Sequence, residues 1–266
     1  MTAERCRWLL LALLLLALGG CGVRGPDVVD QDGAPSHHPD LSAIPDAQPR
    51  PEPRSRYGNP ESYEVFGRSY RVLDSSQDFV ERGIASWYGT KFHGRRTSSG
   101  APYDMYAMTA AHKHLPLPTY ARVTNLENGR SIVVKINDRG PFHPNRVIDL
   151  SYAGAYKLGM LARGTARVEV RAIDPHRPER AAPAPTPAQP PDIFLQAGAF
   201  ASEDNARRMR ERLEQSLARS VRVQPNGAAQ SVFRVQVGPL NSVEQADALM
   251  AQLERLGVND AHVVID

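Results

Sequence analysis

The chain has 266 residues, a formal net charge of +3 and two cysteines, Cys6 and Cys21. The small net charge hides an uneven distribution, because residues 82–173 hold fourteen Lys and Arg against five carboxylates, whereas residues 193–266 hold eight Arg against nine Asp and Glu. The second stretch lacks the basic excess and the stacking aromatics of a phosphate-binding surface, which excludes nucleic acid as its partner. Of the 22 prolines, eight lie between residues 25 and 60 and seven between 174 and 192, which excludes one continuous globule.

In chain order, Arg5 and Arg7 precede an apolar run from Leu9 to Leu18, then Gly19, Gly20 and Cys21. A run of that length is too short for a permanent span, so residues 1–20 read as a secretion signal. Small residues directly before Cys21, with Leu18 three positions upstream, match a lipobox, at which the cysteine is diacylated and becomes the mature N-terminus. Cys6 leaves with the signal and Cys21 is taken up by lipid, so no pair remains for a disulfide. Gly22 in place of aspartate favours the outer membrane, and the expected location is its periplasmic face.

Residues 21–60 are expected to be a lipidated, Pro-rich spacer and 174–191 a Pro/Ala-rich one, each with too little apolar content to offset ordering entropy. They separate a central domain, 61–173, from a C-terminal one, 192–266. Each is small enough to hold one compact core. The central domain reads as β, with alternating or β-branched runs at YARVTNL, SIVVKIND, RVIDLS and ARVEVRAI. A helix is expected over 152–161, with Ser151 as its N-cap.

The C-terminal domain repeats at an offset of forty residues: Leu195-Gln196-Ala197-Gly198 returns as Val235-Gln236-Val237-Gly238, each followed by a helical pattern capped by Ser202 or Ser242. Further β-rich pieces at SVRVQP and AHVVID make the whole βαββαβ, a ferredoxin-like α+β arrangement. It resembles the sporulation-related repeat domain, which binds peptidoglycan strands stripped of stem peptides and directs proteins to the division septum.

Cleaving a glycosidic bond requires a proton donor, commonly a carboxyl. Of the five acids between 82 and 173, Glu127 lies in a Glu-Asn-Gly turn and is expected to be solvated, and Glu169 alternates with Val168 and Val170 and should face away from the core. Asp138, beside Arg139 and Gly140, either braces a loop or belongs to a site. Asp149, bracketed by Val147, Ile148 and Leu150, is either a buried structural carboxylate or a site residue. Asp104 follows Gly100 and Pro102 in a loop and precedes His112. Trp87, Tyr88 and Tyr103 are candidates for stacking on sugar faces, with core packing the alternative for Trp87. No metal-ligand spacing, nucleophile elbow or phosphate loop is present, so no metal or other cofactor is implied.

GIASWYG, SSGAPYDMYAMTAAH, NGRSIVVKINDRGPF and RVIDLS follow one another between Gly83 and Ser151. Together they resemble the double-psi β-barrel of the rare lipoprotein A family, whose characterised enzymatic members are bacterial peptidoglycan lytic transglycosylases. The resemblance implies a denuded glycan strand as substrate, Asp104 and His112 as functional residues, enrichment at the septum and divisome proteins as partners. The chain departs from the family at one position, where Ala101 replaces the glutamate expected three residues before Asp104. This leaves a non-catalytic wall-binding or septal scaffold as the alternative.

Overall fold

The computed structural model describes residues 32–37, 39–177, 190–225 and 232–266. Cys21 and the secretion signal lie outside them. The strands β1 (Ser62–Val65) and β2 (Arg68–Arg71) form a hairpin, and β3 (Val80–Tyr88), β4 (Thr109–His112), β5 (Thr119–Asn125), β6 (Ser131–Asp138), β7 (Arg146–Ser151) and β8 (Ala166–Ile173) close into a barrel in the order β3-β7-β4-β6-β5-β8. The pairs β3/β7 and β4/β6 are parallel and the remaining pairs antiparallel. This is the closed six-stranded β architecture that the resemblance implies.

Period-two alternation explains which residues fill the barrel. Along β6, Ile132, Val134 and Ile136 are buried, and they meet Ala85, Val123, Ile148, Leu150 and Val168 in one core. Helix α1 (Tyr152–Leu158) follows β7 without a break: Ser151 accepts the Gly154 N–H at 3.1 Å, and Gly159, at φ +74°, ends the helix in the left-handed conformation that glycine adopts without strain.

The Pro-rich stretch expected to be a spacer is, over its described part, fastened to the barrel. β4 is short, so β6 has an unpaired edge at Val133. Asp46 accepts the Val133 N–H at 3.0 Å, and Ala47 donates its N–H to the Val133 carbonyl at 3.1 Å. Leu41 is 1% exposed and joins the barrel core, and Asp46 pairs with Lys157 at 2.6 Å. Although burial pushes Glu52 up, its bonds to Lys135 and Tyr120 bring its carboxyl down to about 2. Satisfying an open strand edge with its own N-terminal segment outweighs the segment's proline content.

The second domain carries β9 (Ile193–Phe200), α2 (Glu203–Leu217), β10 (Val221–Pro225), β11 (Phe233–Leu240), α3 (Val243–Arg255) and β12 (His262–Ile265). Its sheet runs β10-β11-β9-β12, antiparallel throughout, which is the expected βαββαβ fold. Ser242 caps α3 by accepting the Gln245 N–H at 3.3 Å. Ser202 occupies the same place before α2 but makes no capping bond, contrary to expectation; Glu203 and Asp204 supply favourable charge in that first turn instead.

The two domains pack together. Ile84 and Leu126 of the barrel join the core cluster of the second domain. Arg146 grips Asp247 of α3 with two bonds of 2.8 and 3.1 Å, Asn145 adds a third at 2.8 Å, and Arg167 donates to the carbonyls of Pro191 and Asn241, both at 3.0 Å.

Candidate functional site

One line of residues crosses the barrel wall. Ser86 on β3 is in register with Asp149 on β7, Asp149 with Ala111 on β4, and Ala111 with Asp138 on β6. Ile148 and Leu150 are fully buried in the core, so the intervening Asp149 faces outward by the pleat. Strands lie about 4.8 Å apart, which sets the backbones of Asp138 and Asp149 about 10 Å apart, with Ala111 between them on β4.

The two acids differ in environment. Asp149 accepts a short hydrogen bond from the Ser86 hydroxyl. Burial pushes its carboxyl above the ordinary value, while Ser86 and the cations Arg146 and Lys113 pull against that rise. Asp138 is a loop brace: its Oδ1 accepts from the Ser98 N–H at 2.8 Å, the Ser98 hydroxyl at 2.7 Å and the Arg139 N–H at 2.8 Å. Arg139 extends the brace to the carbonyls of Gly58 and Leu115, each at 2.6 Å. Gly140 then turns at φ +134° over the row. A Cβ at Gly140 would lie 3.8 Å from Ala111 and 4.0 Å from the Asp149 carboxylate, so the chain is small on both sides of the acid.

Tyr88 lies buried at the end of β3, stacked on Tyr103 with ring centroids 4.1 Å apart. Burial first, then Tyr103, Asp138 and Asp149, push its hydroxyl well above the ordinary value, so it senses both acids of the row. Tyr103 is 3% exposed and donates to the Tyr88 carbonyl at 2.6 Å. Half-buried Trp87 packs edge-on against Tyr152. Tyr103, stacked and buried, offers no open face to a sugar.

Asp104 and His112 are not hydrogen-bonded to each other, and each has other partners. Asp104 is 59% exposed at its side chain, accepts the Tyr106 N–H at 2.9 Å and lies 3.9 Å from His93. His112 is fully buried. Its Nδ1 accepts the N–H groups of His114 and Leu115, both at 3.1 Å, which fixes the proton on Nε2, and that N–H donates to Glu81 at 3.0 Å. Burial pushes the imidazole down and Glu81 opposes it. His112 and Ala111 are neighbours on one strand and face opposite sides, so the histidine lies on the core side of the wall that carries the acid row.

Glu81 escaped the sequence reading because it stands one residue before the basic stretch and matches no motif. Glu127, expected to be solvated, is held by Arg163 at 2.6 Å and Arg167 at 3.6 Å. Glu169 faces away from the core as expected and pairs with Arg82 and Arg171.

A family model described as lytic transglycolase matches residues 80–170, and a SPOR domain model matches residues 189–264. The chain is similar to the endolytic peptidoglycan transglycosylase RlpA of Pseudomonas aeruginosa, with 44% identity over 247 residues that cover 90% of this chain and 70% of the relative. It is also similar to the endolytic peptidoglycan transglycosylase RlpA of Vibrio cholerae, 40% identical over 253 residues covering 94% of each chain. The crystal structure of the RlpA SPOR domain from Pseudomonas aeruginosa aligns with 28% of this chain and 99% of its own, at a TM-score of 0.26 and 24% identity. With both domains matched in order and two-fifths or more of the residues shared along these relatives, the chain belongs to the RlpA family of endolytic peptidoglycan transglycosylases.

Proposed function

We propose that the barrel cleaves peptidoglycan glycan strands from within as a lytic transglycosylase, acting on strands stripped of their stem peptides, while the C-terminal domain holds the same polymer. The observation that carries this reading is the placement of Asp149, a half-buried carboxyl in register with Ser86 and Ala111 on the barrel wall, which burial raises from its ordinary value while Ser86, Arg146 and Lys113 oppose that rise. Asp149 gives its proton to the glycosidic oxygen as the bond from C1 breaks. The resulting carboxylate takes the proton of the 6-hydroxyl of the same muramic sugar as that oxygen closes on C1. The product is a 1,6-anhydro end, no water is consumed, and the acid returns to its starting form. The fourteen Lys and Arg against five carboxylates over residues 82–173 favour a polymer that carries carboxylates.

This reading moves the proton donor from Asp104, the acid the resemblance singles out, to Asp149. Both Asp104 and Asp149 act electrostatically on the buried Tyr103 hydroxyl; the exposed Asp104 is assigned substrate placement, and His112 acts indirectly by holding β4 in register. Anchoring through Cys21 at the periplasmic face of the outer membrane, septal enrichment and contact with divisome proteins rest on the sequence pattern.

The competing reading is a non-catalytic wall-binding scaffold, motivated by Ala101. Incubating the mature chain with denuded glycan and weighing the products separates the two. Native protein should release anhydro-ended fragments, Asp149→Asn should lower the rate at least a thousandfold, and Asp104→Asn should lower it less. Ala101 is exposed, so Ala101→Glu fits without repacking and, with Asp149 as the acid, should leave the rate near native; a gain that is lost again on adding Asp104→Asn would return the acid to Asp104. An active Asp149→Asn with an inactive Asp104→Asn would return the acid to Asp104. Absence of anhydro product from native protein that still binds glycan would establish the scaffold.

A further inference from the structure

The β1–β2 hairpin lies outside the barrel and carries aromatic rings that no part of the proposed chemistry uses. A two-stranded hairpin has little stability of its own. This one is anchored at its base: Tyr63 donates its hydroxyl to the Lys113 carbonyl at 2.9 Å, Leu73 donates its N–H to the His114 carbonyl at 2.8 Å, and the Arg139 guanidinium lies 5.8 Å from the centre of the Tyr63 ring. Tyr63 and Tyr70 stack with centroids 5.3 Å apart, and Tyr70 meets Phe142 at 5.6 Å.

At the tip, Phe66 is 88% exposed and adopts φ +52°, a left-handed conformation that a bulky aromatic rarely takes. A glycine or asparagine would fit that turn with less strain, so an exposed phenylalanine there points to a use for the ring. Its ring lies 6.5 Å from that of Phe142, edge to face.

Phe142 joins these rings to the acid row. The Cβ position of Gly140 is 3.8 Å from the Phe142 ring edge and 4.0 Å from the Asp149 carboxylate, so ring and acid flank the same narrow gap. The aromatic surface therefore continues directly from the proposed cleavage point. Arg68 on β2 lies close enough to Lys113 for the two cations to repel, which puts positive charge along the same edge.

We propose that Phe142, Tyr70 and Phe66 form a sugar-stacking tier that seats the glycan strand on one side of the scissile bond. The inference rests on the glycan-cleaving reading of Asp149 given above. Ring faces carry negative quadrupole and attract the polarised C–H faces of pyranose rings, while Arg68 and Lys113 suit the lactyl carboxylates left on muramic sugars once peptides are removed. A tier extending away from the acid engages sugars beyond the reacting pair, so it favours long strands over short ones.

The test uses the full mature chain with Phe66→Ala, the double variant Phe66→Ala/Tyr70→Ala and Phe66→Trp. Phe66→Ala should raise KM for long denuded strands about fivefold, the loss of one stacked ring, with kcat unchanged. The double variant should raise KM further, Phe66→Trp should keep the native KM, and the rise in KM should be larger for long strands than for tetrasaccharides. An unchanged KM for long strands in the folded double variant would overturn the tier. If native protein yields no anhydro product, the cleavage reading fails on its own, and the tier is judged by fluorine NMR of fluorophenylalanine-labelled native chain, assigned with Phe66→Leu. Movement of the Phe66 and Phe142 signals on adding denuded strands supports it; unmoved signals with glycan bound overturn it.

Discussion

Asp149 and Ser86 make a pair whose chemistry can be read through pH. The Ser86 hydroxyl favours the ionised carboxylate, so it lowers the acid's proton affinity against the push of burial. A general acid must be protonated, and its activity falls as pH rises through its folded value. Ser86→Ala removes the stabilising donor and should move the alkaline limb of kcat/KM to higher pH, with a modest loss of rate. A limb that stays in place would show that another group sets it.

His112 gives a stability signature of the opposite origin. Its folded value is depressed from 6.5, so the unfolded chain binds the proton more readily and stability drops as pH falls through about 6.5. Glu81, held low by His112, loses its contribution only further into acid, below its ordinary 4.5. The melting temperature should therefore fall between about pH 7.5 and 5.5, and His112→Gln should flatten that slope. Equal slopes for native and variant would mean that other groups carry it.

At the scale of elements, what the sequence reveals depends on how far the deciding contacts lie along the chain. The alternation of SIVVKIND and the Ser151 cap are local and can be read directly. The apolar neighbours of Asp149 announce a carboxyl in a buried strand. The acid row is not legible, because Ser86, Asp149, Ala111 and Asp138 meet only through the strand order of the barrel. Glu81 finds His112 across 31 positions, again by closure. The hairpin holding Phe66 is short and exposed, with Gly67 as its one clear signal.

The Pro-rich strap misled for a different reason. Composition reports what a segment can bury by itself, whereas Leu41 and Asp46 bind a surface and an edge supplied by the barrel. Asp46→Ala removes both the acceptor for the Val133 N–H and the partner of Lys157. The expected loss is about 1–2 kcal/mol, or roughly 3–6 °C in melting temperature. Calorimetry with no change would show that the strap adds nothing to barrel stability.

At the scale of the molecule, residues 32–266 form one compact unit, and the grip of Arg146 on Asp247 is its most enclosed cross-domain ion pair among the described residues. Arg146 opens the strand that carries Asp149. Asp247→Ala leaves a guanidinium that is 9% exposed without its carboxylate and should weaken docking by about 2 kcal/mol. Faster hydrogen exchange at Ile84 and Leu126 would report the loosening; unchanged protection would mean that apolar contact alone holds the interface.

That clasp turns the chain into a caliper. On the proposed reading one jaw grips the polymer and the other cuts it, and the clasp holds the two domains that do so at one spacing. Native protein should leave fragments clustered around a preferred length, and the Asp247→Ala chain, with its clasp weakened, should leave a broader spread; the same spread from both would show that the clasp does not set fragment length.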